Sequence, residues 1–154
     1  MADFFADSSA LVKRYVRETG SEWVEGLFAP EARHEVYVSA VTPVEIIAAL
    51  TRRSRGGTLP PADARTAIDL FRADLLADYQ VVELTDSVIS RAIALAETHA
   101  VRGYDAIQLA SALETNALLV ANGLPPLTFV SADLQVNVAA QREGLAVEDP
   151  NSYP

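Results

Sequence analysis

The chain is expected to fold as an α/β protein, a parallel sheet covered by helices on both faces. Three observations carry that expectation. Short apolar runs alternate with segments of helical period along the whole length, the pattern of strand–helix–strand units. Two firm loops, Arg55–Pro61 and Asn122–Pro126, separate the segments around them. Half of the 154 residues are hydrophobic, enough to fill the core of one domain.

Phe4 to Ala6 opens the domain as a short apolar strand. Ala10, Leu11, Tyr15 and Val16 then recur at helical spacing, and Thr19-Gly20 ends that helix. Ser21 is placed to cap a second helix, through about Ala29. Val36 to Val38 is the second strand, and a helix follows from Thr42-Pro43 through Ile46, Ile47 and Leu50 to the arginines. The next helix runs from about Ala62 to Asp78, with Ile68, Leu70, Phe71, Leu75 and Leu76 as its apolar face. Val81 to Leu84 is the third strand, followed by a helix from about Asp86 to His99. After the break at Val101–Gly103, a helix starts near Tyr104 and passes Leu113. Leu127 to Val130 is the fourth strand, and a helix spans about Leu134 to Glu143. Gly144 suits the end of that helix, and Leu145 to Val147 is a short last strand. Residues 1–148 are expected to form a single domain and residues 149–154 a flexible tail.

Net charge is −9, which argues against a protein that coats nucleic acid. It does not exclude an enzyme that cuts nucleic acid through a metal, because the ion supplies local positive charge. The absence of cysteine excludes disulfides, thiolate metal sites and thiol nucleophiles, and it fits a cytoplasmic location. No apolar run reaches the roughly 18–20 residues of a membrane span, so no membrane partner is expected. The first residues carry Asp3 and Asp7 and no basic stretch, unlike a secretory signal. Lys13 is the one lysine. The other cations are arginines, which bind phosphate well in bidentate fashion, although a GC-rich genome produces the same bias.

Four acids fall where a strand hands over to a helix or where a helix begins: Asp7, Glu45, Asp105 and Asp133. In a parallel sheet, ligands bind beyond the carboxyl ends of the strands. Asp7 and Asp133 follow the first and fourth strands; Glu45 and Asp105 lie in first helical turns entered from the same region. Gathered carboxylates repel one another, and a hard divalent cation is the usual remedy. Each acid also has a local explanation. Asp7 and Asp133 suit helix N-caps, Asp105 suits the positive end of a helix dipole, and Thr42-Pro43-Val44-Glu45 has the form of a capping box. Capping accounts for each acid singly, but not for the set in its surroundings.

Those surroundings resemble the PIN-domain ribonucleases, most closely the VapC toxins of toxin–antitoxin pairs. The segment DSSALVKRY is similar to the family's first motif, TPVEIIAAL to its second, RGYDAIQLASAL to its third and FVSADLQVNVAAQREGL to its fourth. The similarity runs from Phe4 to about Val147. It departs from shorter members at Asn116–Pro126 and in the acidic tail, neither of which touches an acidic position.

The resemblance implies a PIN-like three-layer sandwich with a central, mostly parallel sheet of about five strands. It implies an endoribonuclease that uses Mg²⁺ or Mn²⁺ and leaves 5′-phosphate and 3′-hydroxyl ends. Asp7 and Asp105 would be the primary metal ligands. Glu45 would complete the shell or orient the attacking water, and Asp133 would bind a second ion or hold a metal water. The implied partners are an RNA substrate, a small cognate antitoxin and a second copy of the chain in a homodimer. The alternative is a catalytically silent PIN-like module that binds RNA or protein. Three cation sets are candidates for substrate phosphates: Lys13, Arg14 and Arg17; Arg52, Arg53 and Arg55; and Arg102. Each reads equally as solvated surface charge. Ser8 or Ser9 could bond Asp7 or a phosphate but each reads more readily as a cap, and Ser131, two residues before Asp133, is placed at the same rim. Asn137 is expected to be an ordinary surface residue, and His34 and His99 structural or exposed.

Overall fold

Phe4 and Ala6 bury on one face of the first strand and Phe5 on the other, so this strand needs cover on both sides. The computed structural model describes all residues, Met1 to Pro154. In it, β1 (Asp3–Ala6) is the central strand. It lies between β2 (Glu35–Ser39) and β4 (Thr128–Val130), with β3 (Tyr79–Val82) outside β2 and β5 (Ala146–Glu148) outside β4. The order is β3-β2-β1-β4-β5 and every pairing is parallel. Phe5 stands opposite Tyr37 on one side and Phe129 on the other.

Parallel neighbours need crossover connections, and here they are helical. Helix α1 (Ser8–Leu11) with its 3₁₀ continuation Val12–Arg14, and α2 (Ser21–Gly26), join β1 to β2. Helices α3 (Thr42–Arg55) and α4 (Pro61–Ala77) join β2 to β3. Then α5 (Asp86–His99) and α6 (Gly103–Ala121) carry the chain back across to β4, and α7 (Leu134–Arg142) joins β4 to β5. The two runs cover opposite faces. Val36, Val38, Ile46, Leu50 and Phe71 fill one core. Phe5, Phe129, Leu95, Leu109 and Val136 fill the other, where the two phenylalanine rings stack at 6.0 Å. This is the expected α/β sandwich with helices on both faces.

Three elements differ from expectation. The first helix breaks into a 3₁₀ turn at Val12 instead of running on to Val16. Tertiary anchors explain the break. Arg14 lies 3.8 Å from the centroid of the Phe28 ring and pairs with Asp78 at 2.7 Å, while the Tyr15 hydroxyl donates to Asp74. Second, β3 begins at Tyr79 rather than Val81, because Tyr79 is buried in the core and pairs with Val36. Third, residues 149–154, expected to be a flexible tail, pack on the body. Pro150 is buried, Pro150–Ser152 form a 3₁₀ turn, and Tyr153 stacks on Trp23 at 4.8 Å. The segment 116–126 is mostly helix: α6 continues to Ala121, and Asn116 Oδ1 accepts the Leu127 N–H at 3.0 Å.

Candidate active site

The strand order reverses between β1 and β4, so their carboxyl ends flank a natural crevice. Asp7 leaves β1 there and is 3% exposed. It caps α1: Oδ1 accepts the Ala10 N–H at 3.1 Å and the Ser9 hydroxyl at 2.6 Å. Ser9 Oγ in turn accepts the Ala132 N–H at 2.9 Å and lies 3.3 Å from Ser131 Oγ. The ends of β1 and β4 are thereby tied together. Beyond Ser131, Asp133 caps α7, and its Oδ1 accepts from Gln135 N at 2.9 Å and Val136 N at 3.3 Å. Asn137 is buried rather than on the surface, and its Nδ2 donates to the Ser131 carbonyl at 2.8 Å. Four residues after Asp133, it shares the inner face of α7.

Glu45 is not part of a capping box. Val41 already has helical dihedrals (φ −82°, ψ −15°), so Thr42 lies inside the first turn instead of in the extended N-cap conformation. Glu45 Oε1 instead accepts the Ser8 hydroxyl at 2.9 Å and Gln108 Nε2 at 2.7 Å. Gln108 is the residue that sequence reasoning missed. It is buried, and its Nε2 also lies 3.0 Å from Ser8 Oγ and 3.1 Å from Thr42 Oγ1. Its position three residues after Asp105 puts it on the same face of α6, which was the available clue. An amide nitrogen has two hydrogens for these three acceptors, so Gln108 holds Ser8, Thr42 and Glu45 as one unit.

Asp105 sits in the first turn of α6, where Arg102 Nε approaches its Oδ2 to 3.1 Å. Arg102 Nη2 also reaches Asp133 Oδ2 at 3.4 Å, and the arginine side chain is 81% exposed. One guanidinium therefore bridges two of the four carboxylates from the solvent side. Burial pushes the Asp7 carboxyl up to about 6, and the charge of Asp105 adds to that rise. Hydroxyls of Ser131 and Ser9 and the Ala10 N–H pull it down, but burial outweighs them. Asp105 is also raised, by burial first and by Asp133, against the pull of Arg102. Asp7, Asp105 and Asp133 thus feel one another, and Ser8 with Gln108 connects Glu45 to them.

The four acids share one edge, but they do not close on one point: no group of three or more His, Cys, Asp or Glu side chains is disposed to hold a metal ion. Arg102 draws Asp105 toward Asp133, and Ser8 with Gln108 holds Glu45 aside. The donors themselves are all carboxylate oxygens, the set that hard divalent ions take. Arg102 stands in for a cation between two of them, and Asp7 has no cation partner. The residues fit Mg²⁺ or Mn²⁺ in chemistry, with Arg102 in the place of positive charge. Among the other candidates, Arg14 is tied to Asp74, Asp78 and Tyr79, and Arg17 pairs on the surface with Glu22 and Glu25. His34 accepts the Ala2 N–H, and His99 pairs with Glu143; neither contacts one of the four acids.

The family model of the PIN domain matches residues 4–123. Ribonuclease VapC45 and ribonuclease VapC49, from two strains of Mycobacterium tuberculosis, are each 33% identical over 143 residues, covering 93% of this chain and 92% of theirs. A toxin–antitoxin complex from Klebsiella pneumoniae matches with TM-score 0.60 at 14% identity, over 97% of this chain and 98% of that one. VapBC-1 from nontypeable Haemophilus influenzae matches with TM-score 0.59 at 14% identity, over 96% of this chain and 98% of that one. At such identities the structural likeness is one of fold. No helix is long and apolar enough to cross a membrane.

Proposed function

Since this chain belongs to the PIN-domain family of VapC-type ribonucleases, we propose that it is a Mg²⁺- or Mn²⁺-dependent endoribonuclease working through Asp7, Glu45, Asp105 and Asp133. The observation that carries the reading is Asp7. A buried carboxyl with no cation partner, pushed up to about 6 beside a second acid, is an unfavourable arrangement for a fold to keep. A bound divalent ion removes that cost.

Asp7 and Asp105 are the direct ligands. Asp133 uses one oxygen to cap α7 and leaves the other, now held by Arg102, for the ion or its water. Glu45, fixed through Oε1 by Ser8 and Gln108, orients the attacking water. The ion supplies neutralisation of phosphoryl charge and a lowered water pKa. Arg102, once released from the carboxylates, remains at the mouth of the site as a cation for the substrate.

The same reading makes the chain the toxin of a toxin–antitoxin pair, with a small antitoxin and a second copy of itself as partners. The toxin–antitoxin complexes among its fold relatives support this. One observation favours the alternative, a silent binding module: Arg102 satisfies Asp105 and Asp133 without any ion. RNA cleavage separates the two. Wild-type protein is expected to cut single-stranded RNA with Mg²⁺ or Mn²⁺ and not in chelator. Glu45→Gln should lose about 10²- to 10⁴-fold, the range of a positioned proton acceptor, and Asp105→Asn should be inactive. Full cleavage by Asp105→Asn, or by wild type in chelator, would rule the site out.

A further inference from the structure

The chain is strongly acidic, yet one wall beside the carboxylates is cationic. A cavity of about 520 Å³ is lined by Ser8, Ser9 and Glu45 together with Lys13, Glu18 and Arg53. Arg52 lines it too, so three cations face two carboxylates. Lys13 is 5% exposed, and its Nζ lies 3.1 Å from Glu18 Oε1. Arg53 Nη2 lies 3.3 Å from the other oxygen, Glu18 Oε2. One carboxylate therefore holds two cations, which leaves a positive charge uncompensated in a partly dry place.

Donor capacity is also left over. An ammonium has three N–H groups, and Lys13 has one polar side-chain partner, Glu18. Arg53 Nη1 is buried and has no hydrogen-bond partner. Buried polar groups without partners are uncommon and call for a reason. Arg14 is an instructive contrast. It is the chain's structural arginine, and its Nη1 and Nη2 both have partners in Tyr79, Asp74 and Asp78. The Lys13–Arg53 pair has the surplus charge that an anion would use, and Lys13 has unused N–H groups; Arg53 Nη1 is covered by protein and reaches an anion only when its side chain shifts.

Position selects the anion. Arg53 follows Glu45 by eight residues on α3, about 12 Å along the helix axis. That puts Arg53 two helical turns from Glu45, beside the acidic edge, a placement that suits a neighbouring phosphate of the same strand. Building on the ribonuclease reading above, we propose that Lys13 and Arg53, held in place by Glu18, form a subsite for an RNA backbone phosphate flanking the scissile one. Glu18 is the positioning residue: it keeps the two cations together when no RNA is bound.

Binding of a short fluorescent oligouridylate to the full-length Asp105→Asn protein in Mg²⁺ tests this without cleavage. Adding Arg53→Gln is expected to weaken binding about tenfold, the order of one charge-assisted contact. It should also reduce the slope of log affinity against log salt by about 0.7, one single-strand phosphate contact. Arg53→Lys should recover most of the affinity. In the cleaving enzyme, Arg53→Gln should raise KM and leave kcat nearly unchanged. Lys13→Met, which removes the second cation, should weaken binding in the same direction. Unchanged affinity and salt slope in both Arg53→Gln and Lys13→Met would overturn the subsite while leaving the ribonuclease reading standing. Failure of the wild-type protein to cleave RNA with Mg²⁺ or Mn²⁺ would overturn that reading instead. Equal losses for oligouridylate and for polyglutamate would also overturn the subsite, because they would mark a general anion patch.

Discussion

Asp7 carries two demands that pull against each other. Its Oδ1 caps α1, which any Asp or Asn does equally well. Its charge serves only a ligand, and in the metal-free protein that charge is a cost. The folded-state pKa of about 6 lies above the ordinary carboxyl value of 3.8. Between these values the folded state holds more protons than the unfolded chain, so stability falls as pH rises through that window. Below the window the cost is absent; above it the cost is complete, on the order of 3 kcal/mol. Asp7→Asn should keep the cap and remove the penalty. Urea denaturation in chelator is expected to show the variant more stable by roughly 2–3 kcal/mol near pH 8 and equal to wild type near pH 4. A variant less stable than wild type near pH 8 would mean that the carboxylate is not under strain. Gln108 shows the limit of sequence at this scale. A glutamine in an apolar helix looks like any polar spacer, and its role appears only when Ser8, Thr42 and Glu45 arrive from other elements.

At the scale of elements, the helix starts were legible and the helix ends less so. The boundaries of α3, α4, α5 and α7 fall within a residue or two of expectation, because proline, Thr85, Asp133 and Gly144 are local signals. The first helix and the tail were misjudged because distant partners decide them. Arg14 and Tyr15 are held from α4 and β3, and the tail is held by α2. Gly20 is the pivot of that last contact. It has φ of +85°, and a Cβ there would run into the backbone carbonyl of Pro150. Gly20→Ala therefore meets both a left-handed backbone and a clash, and should cost about 1–3 kcal/mol. Trp23, the only tryptophan, stacks on Tyr153 and so reports whether the tail stays docked. Its fluorescence is expected to change in Gly20→Ala along with the fall in melting temperature. An unchanged spectrum together with unchanged stability would show that the tail is not bound to the body.

The whole molecule places its least stable group at its most specific point. Two apolar cores, one on each face of the sheet, supply the stability; the crevice between β1 and β4 spends part of it on facing carboxylates. The sequence made the shared edge of the acids legible, though not their separation along it, because strand ends and helix starts have local patterns and parallel order implies one edge. It did not reveal the cations that answer the acids. Arg102, Lys13 and Arg53 look alike in sequence, and only packing separates the bridge, the buried ammonium and the guanidinium with a free nitrogen. If a divalent ion is what the site awaits, binding must stabilise the entire chain, since the unfolded state has no such site. Mn²⁺ at 100 times its Kd should add about 2.7 kcal/mol, which for a chain of this length raises the melting temperature by roughly 5–10 °C. The ion needs Asp7 ionised, so the shift should shrink as pH drops below about 6 and protons compete for the carboxylate. Asp7→Asn should then do two opposite things near pH 8: raise the melting temperature in chelator and abolish most of the rise caused by Mn²⁺. Thermal melts of both proteins, with Mn²⁺ and with chelator, measure both effects. A Mn²⁺ shift of equal size in the variant would place the ion elsewhere.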